Sequence, residues 1–155
     1  NCLSYTFDRI VIWVDPAIST KEWADNFAIS VVWYLWERKY VLECVALNGK
    51  DKDIWRATSV VKSLYQKRNA NLVVVETVFQ NMWLAVEEIK TSKDKRTRLM
   101  EKQILFENHR VYFYPKTTEE LVDELLIFPN WEHDDRIDSL LFALKDLPDV
   151  NIYFI

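Results

Sequence analysis

Asp15 follows the apolar run Ile10–Val14, Glu76 follows the apolar run Leu72–Val75, and Asp134, Asp135 and Asp138 cluster at the start of a helical pattern. Carboxylates brought together repel one another unless a cation sits among them. Oxygen donors without Cys or His partners suit Mg2+ or Mn2+ rather than zinc. Two such ions, about 4 Å apart, activate a water on one side of a phosphodiester and stabilise the leaving oxygen on the other. Phosphodiester hydrolysis is therefore the chemistry these residue types would serve. Each acid also has an ordinary reading: Asp15 precedes Pro16 as turn residues do, Glu76 is a strand-end charge, and acids in a first helical turn favour the helix dipole. What sets them apart is their joint placement at the ends of three elements.

Those elements can be read from the hydrophobic pattern. Ile10–Val14 has the continuous apolar character of a central strand buried on both faces, and it stops at Asp15-Pro16. Phe27 to Leu35 and Tyr40 to Leu47 are β-rich runs joined by the polar segment Trp36 to Lys39, which predicts a hairpin and, with the first run, three antiparallel strands. After Asn48-Gly49, Asp51 or Asp53 can cap a helix carrying Ile54, Ala57, Val61, Leu64 and Tyr65 and ending near Asn69. Leu72–Val75 predicts a second buried strand, and Val78, Met82, Trp83, Val86 and Ile89 line the next helix, so this is a crossover to a strand parallel to its neighbour. Residues 90–95 read as an exposed basic loop ahead of a helix with Leu99, Met100 and Ile104 on one side.

Arg110–Tyr114 is a short alternating strand ended by Pro115, and Thr117-x-x-Glu120 has the form of a capping box for a helix to about Ile127. Phe128 to Trp131 interrupts, and the last helix, from about Asp134 to Leu147, runs on Ile137, Leu140, Leu141, Leu144 and Leu147. Val150–Ile155 can add a final strand. The order is that of a mixed-sheet α/β domain. In such sheets ligands bind beyond the carboxyl ends of the strands. If strands 10–14 and 72–75 lie side by side and parallel, Asp15 and Glu76 project from one edge, and the last helix can deliver Asp135 there. At 100° per residue Asp135 and Asp138 are about 60° apart and lie off the apolar stripe, forming one acidic face.

The 155 residues, half of them hydrophobic and 28% charged, make one domain with a full-sized core rather than a disordered segment, and no apolar run is long enough for a membrane span. A single glycine, Gly49, excludes Gly-rich phosphate-binding loops and dinucleotide fingerprints. Cys2 and Cys44 have neither disulfide-framework nor zinc-site spacing. The chain opens on Asn1 without a basic segment ahead of an apolar one, so an excised domain or processed product in a cytosolic setting is expected. The net charge of −4 confines any polyanion contact to a local patch. From Lys90 to Lys102 the chain carries a local excess of +4, whereas Glu119 to Asp138 carries −7.

The sequence resembles the nuclease domain of the large terminase subunit of tailed bacteriophages, a branch of the ribonuclease-H-like superfamily. The resemblance lies in Ile10–Ala17 (IVIWVDPA), Leu72–Thr77 (LVVVET), Lys93–Arg98 (KDKRTR), Arg110–Pro115 (RVYFYP) and, most specifically, Phe128–Leu140 (FPNWEHDDRIDSL). The last contains an HDDxxD-like segment after a helix ending in Phe-Pro. The resemblance covers about residues 9–147 of a single domain spanning 1–155. It implies a ribonuclease-H-like mixed five-stranded sheet flanked by helices, two Mg2+ or Mn2+ ions, and endonucleolytic cutting of concatemeric double-stranded viral DNA during packaging. Carried onto this chain, it makes Asp15, Glu76 and Asp135 catalytic metal ligands, with Asp138 a fourth candidate, since members of the family differ in which of the two helix positions ligates. His133 and Asp134 would stand behind the ligands.

The resemblance further implies an ATPase domain in the same full-length protein, a portal and a small terminase subunit as partners, and the cytoplasm of an infected host cell as the setting. The fragment itself is expected to be a monomer with no membrane contact. Lys93, Lys95, Arg96 and Arg98 are the best candidates for DNA-backbone contacts, because phosphate neutralisation by Lys and Arg gives sequence-independent affinity. Trp131 reads as core and Trp23 as the more exposed contact candidate. Competing readings are another ribonuclease-H-like enzyme, such as a junction resolvase or transposase, and a noncatalytic α/β module whose acidic helix face docks on a basic protein surface.

Overall fold

A computed structural model describes residues 8–15, 27–47, 54–75, 94–130 and 135–144. Their elements follow in the order β1 (Asp8–Asp15), β2 (Phe27–Leu35), β3 (Arg38–Leu47), α1 (Ile54–Arg68), β4 (Leu72–Val75), α2 (Lys95–Glu101), α3 (Gln103–Glu107), β5 (Val111–Phe113), α4 (Glu119–Ile127) and α5 (Asp135–Ala143). The strands form one five-stranded sheet in the order β4-β1-β2-β3-β5, with β1, β2 and β3 antiparallel and the two outer strands each parallel to its neighbour. This is the mixed α/β sheet the sequence predicts. The expected helix over 78–89, the capping Asp51 or Asp53, Trp23, Trp131 and a strand in 150–155 lie outside the described residues.

The continuous apolar run of β1 has its expected consequence. Val11, Ile12, Trp13 and Val14 are all buried, alternately facing the two sides of the sheet. One side, built on Ile12, Ile29, Val31 and Leu47, packs against Ala57 and Leu64 of α1. The other, built on Val11, Trp13, Val32 and Val41, packs against Leu121 of α4 and Ile137, Leu140, Leu141 and Leu144 from α5 and its end. The hairpin closes through Trp36 and Glu37, with Trp36 at φ 55°, the left-handed geometry of a two-residue turn. Asn69 at φ 51° ends α1, and reciprocal bonds between Asn71 and the backbone of Ile10, both 2.8 Å, seat the start of β4 on β1.

A bulge between Val31 and Val32 leaves Leu42 opposite no residue of β2. Because side chains alternate along a strand, one extra residue exchanges the faces of everything beyond it. Glu43 therefore turns towards α1, where Lys67 Nζ (2.6 Å) and Arg68 Nη2 (2.7 Å) hold its buried carboxylate. Cys44 turns towards α5 and comes within 3.4 Å of Ser30 Oγ. The Thr117 hydroxyl donates to the Leu42 carbonyl at the bulge.

Two local expectations are corrected. The Thr117-x-x-Glu120 capping box does not form: α4 begins at Glu119, and Thr118 makes no cap bond because its hydroxyl donates to the Tyr114 carbonyl at 2.8 Å while that of Thr117 is engaged at the bulge. The helix after the basic segment breaks at Lys102 into α2 and α3. Leu99 and Phe106 pack on the core from the two halves, leaving Met100 and Ile104 61% and 60% exposed, so they do not share a buried face with Leu99.

At the start of α2, Asp94 accepts hydrogen bonds from Thr97 N and Thr97 Oγ1, both 2.9 Å, and these hold its carboxyl below the ordinary value. A folded-state value lower than the unfolded one means that the cap stabilises at neutral pH and is lost as pH falls through the depressed value. Following the Thr97 amide by NMR should give a midpoint below the ordinary aspartate value of about 3.9, and Asp94→Asn should abolish that titration; a midpoint at or above the ordinary value would refute the cap. Burial, partly offset by Ser30, pushes the Cys44 thiol up to about 12. In a Cys2→Ser background Cys44 should resist thiol reagents at pH 8 until denaturant unfolds the chain; ready labelling of the native protein would contradict its burial.

Candidate active site

Asp15 is the last residue of β1 and is half-buried. Val14 pairs with Val75 in the parallel β1–β4 ladder, so both strands end at the same sheet edge, with Asp15 the next residue of one chain segment and Glu76 the next of the other. Glu76 itself lies outside the described residues, as do Lys93, His133 and Asp134. The parallel neighbours that the sequence reading required are present.

The direction of α5 follows from two hydrogen bonds. Ser139 Oγ lies 2.7 Å from Ser30 Oγ, at the level of the sheet where Ser30 pairs with Trp13. One turn later the Ala143 carbonyl accepts from the hydroxyl of Tyr34, whose backbone pairs with Arg9 towards the opposite edge. From Ser30 to Tyr34 the strand travels about 13 Å away from the Asp15 edge, and α5 advances in the same sense by about 6 Å between Ser139 and Ala143. The helix therefore starts towards the Asp15 edge and runs antiparallel to β1. Asp135, its first residue, belongs to that end.

Asp138 lies one turn into α5 and is not surrounded by acids among the described residues. Lys95 Nζ reaches its Oδ2 at 2.7 Å and Arg98 Nη2 reaches its Oδ1 at 2.8 Å. The side chains of Lys95 and Arg98 are only 18% and 22% exposed, and Arg98 Nε is buried without a hydrogen-bond partner. These two cations are thus not part of a solvated loop: they sit on α2, across from α5. Arg96, between them, is exposed. A sequence reading places Asp138 with the acids and Lys95 and Arg98 with the DNA contacts; the partnership across 40 residues between Arg98 and Asp138 was not legible in either segment alone.

Two further acids of that segment, Glu120 and Glu124, are engaged elsewhere. Arg136 donates to Glu124 at 2.7 Å and also to Glu120, tying α5 to α4. Burial alone would lower the Arg136 guanidinium, but the Glu124 hydrogen bond and the two acidic charges outweigh it and leave it raised. An open cleft of about 740 Å³, lined by Trp36, Arg38, His109, Arg110 and Tyr112 among others, lies at the hairpin end of the sheet, away from Asp15. Among the described residues no three His, Cys, Asp or Glu side chains gather to hold a metal. The oxygen-only character of Asp15 and of the acids that start α5 fits Mg2+ or Mn2+ and not zinc. Among the described residues no helix is long and apolar enough to cross a membrane.

No family model and no curated protein matches the chain. Solved structures do. The fold is similar to the human cytomegalovirus terminase nuclease domain at a TM-score of 0.60, with 13% identity over 91% of this chain and 85% of that one. It is similar to the same domain soaked with Mn at a TM-score of 0.57, with 14% identity over 92% of this chain and 85% of that one. With Mn and an inhibitor bound, the values are 0.54 and 14%, over 91% and 84%. The chain thus has the fold of terminase nuclease domains, a mixed five-stranded sheet flanked by helices of the ribonuclease-H-like kind.

Proposed function

We propose that this chain is the metal-dependent endonuclease domain of a viral DNA-packaging terminase, of the tailed-bacteriophage kind, that cleaves concatemeric double-stranded DNA. The observation that carries the reading is the approach of three element ends: the parallel β1–β4 ladder ends at the pair Val14–Val75, one residue before the end of β1 at Asp15, and α5 starts towards the same edge. The fold shared with terminase nuclease domains, including ones soaked with Mn, supports it. Asp15, Glu76 and Asp135 would hold two Mg2+ or Mn2+ ions; when bound, the ions supply an activated water and stabilisation of the leaving 3′ oxygen. Because Asp138 is engaged by Lys95 and Arg98, Asp135 is the preferred helix ligand. His133 and Asp134 would support the ligands from behind.

The chain's own part is to fix its carboxylates on rigid element ends and to neutralise phosphates. Lys93, Lys95, Arg96 and Arg98 supply the positive charge for the DNA backbone, giving binding that depends on salt and not on sequence. In the full-length protein an ATPase domain, a portal and a small terminase subunit would be the partners, in the cytoplasm of the infected host, and this domain alone would be a monomer.

Incubating supercoiled plasmid with Mn2+, Mg2+ or EDTA tests the reading. Wild type should nick and linearise the plasmid only with a divalent metal, and Asp15→Asn and Asp135→Asn should each lose activity on the order of a hundredfold. Undiminished metal-dependent cleavage by Asp15→Asn would sink the assignment.

A further inference from the structure

Asp138 has the chemistry of a metal ligand but the surroundings of something else. Both of its oxygens are taken by cations, Lys95 at 2.7 Å and Arg98 at 2.8 Å. Those positive charges would oppose a divalent ion at the same carboxylate. The pair stands on α2, whose first turn is separately fixed by the Asp94 bonds to Thr97 N and Oγ1. Two carboxylates therefore set the place of two basic side chains.

We propose that Asp138 is a positioning residue: it holds Lys95 and Arg98 as a preset pair that receives a phosphate of the DNA strand lying along the carboxyl edge of the sheet. The inference rests on the nuclease reading and deepens it. Two cations against one carboxylate leave a net positive charge, which still attracts phosphate. Lys and Arg side chains are rich in rotamers, and ordering them at the moment of binding weakens affinity; ordering them beforehand removes that loss. Arg98 Nε is buried and Nη2 bonds Asp138, so the plane of the guanidinium is set by the protein before any ligand arrives. Arg96, exposed on the same helix, has no such hold from Asp138.

Fluorescence anisotropy of a short labelled duplex, titrated in EDTA, separates this role from a ligand's. Loss of a negative charge by itself tightens binding to phosphate. Positioning predicts the opposite: Asp138→Asn should weaken binding about tenfold, Asp138→Glu should recover part of the loss, and adding Asp138→Asn to a Lys95→Ala/Arg98→Ala protein should cost nothing further. Calorimetric titration with Mn2+ should show affinity retained in Asp138→Asn and lost in Asp15→Asn. If Asp138→Asn binds duplex as tightly as wild type or more so, keeps its full cost without Lys95 and Arg98, or loses Mn2+ as Asp15→Asn does, the positioning role is wrong while the nuclease reading stands. A wild type that binds neither duplex nor Mn2+ removes both.

Discussion

Ile137 and residues 139–144, from α5 and its end, are buried against the face formed by β1, β2 and β3, and Ser139 is bonded to Ser30 at a fixed level of the sheet. A helix so enclosed has one register open to it, because a shift of one residue would turn the Ser139 hydroxyl into apolar packing and leave Ser30 without that partner. That constraint decides where the helix starts, and so decides that Asp135 and Asp138 belong to the end of the sheet where β1 and β4 also stop. Burial of the elements behind them, and not any attraction between carboxylates, places Asp15 and the start of α5 towards one edge.

The polar groups inside this packing depend on one irregularity. The bulge at Leu42 exchanges the faces of β3, sending Glu43 to the basic end of α1 and Cys44 to Ser30 and hence to the level of Ser139. An unbulged β3 would point Glu43 into the apolar face covered by α5, where no cation of α1 reaches it. A buried carboxylate without a partner is strongly destabilising, so the bulge and the α1 cations Lys67 and Arg68 must be kept together. The sheet is thereby locked to helices on both sides, and its carboxyl edge becomes a rigid mount.

Much of this was legible in sequence because it rests on periods. The unbroken apolar runs 10–14 and 72–75 pointed to two strands, and these pair in parallel and place Asp15 at the edge where the ladder ends. The hairpin and the apolar stripe of the last helix were equally plain. What escaped depends on contacts between distant segments or on competition for one hydrogen bond. A bulge has no period, so the side to which Glu43 points cannot be read locally. Thr117 and Thr118 look like cap residues until Leu42 of β3 and Tyr114, just past β5, offer them carbonyls, and Lys102 looks like the interior of one helix until Leu99 and Phe106 pack separately. Asp138 reads as one acid among many in an acidic segment; only the approach of α2 to α5 shows Lys95 and Arg98 upon it.

That arrangement gives the two halves of the charge pattern different tasks. Of the basic residues on α2, Lys95 and Arg98 meet Asp138 of α5, so this one carboxylate serves cations, and metal binding is proposed for other acids. The place where metal binds is the decisive property of this edge. Anomalous diffraction from crystals soaked in Mn2+ should show two peaks about 4 Å apart at the carboxyl edge of β1 and β4, ligated by Asp15 and by Asp135, with Asp138 still on Lys95 and Arg98. No peak at that edge, or a single ion held by Asp138 with its cations displaced, would contradict it.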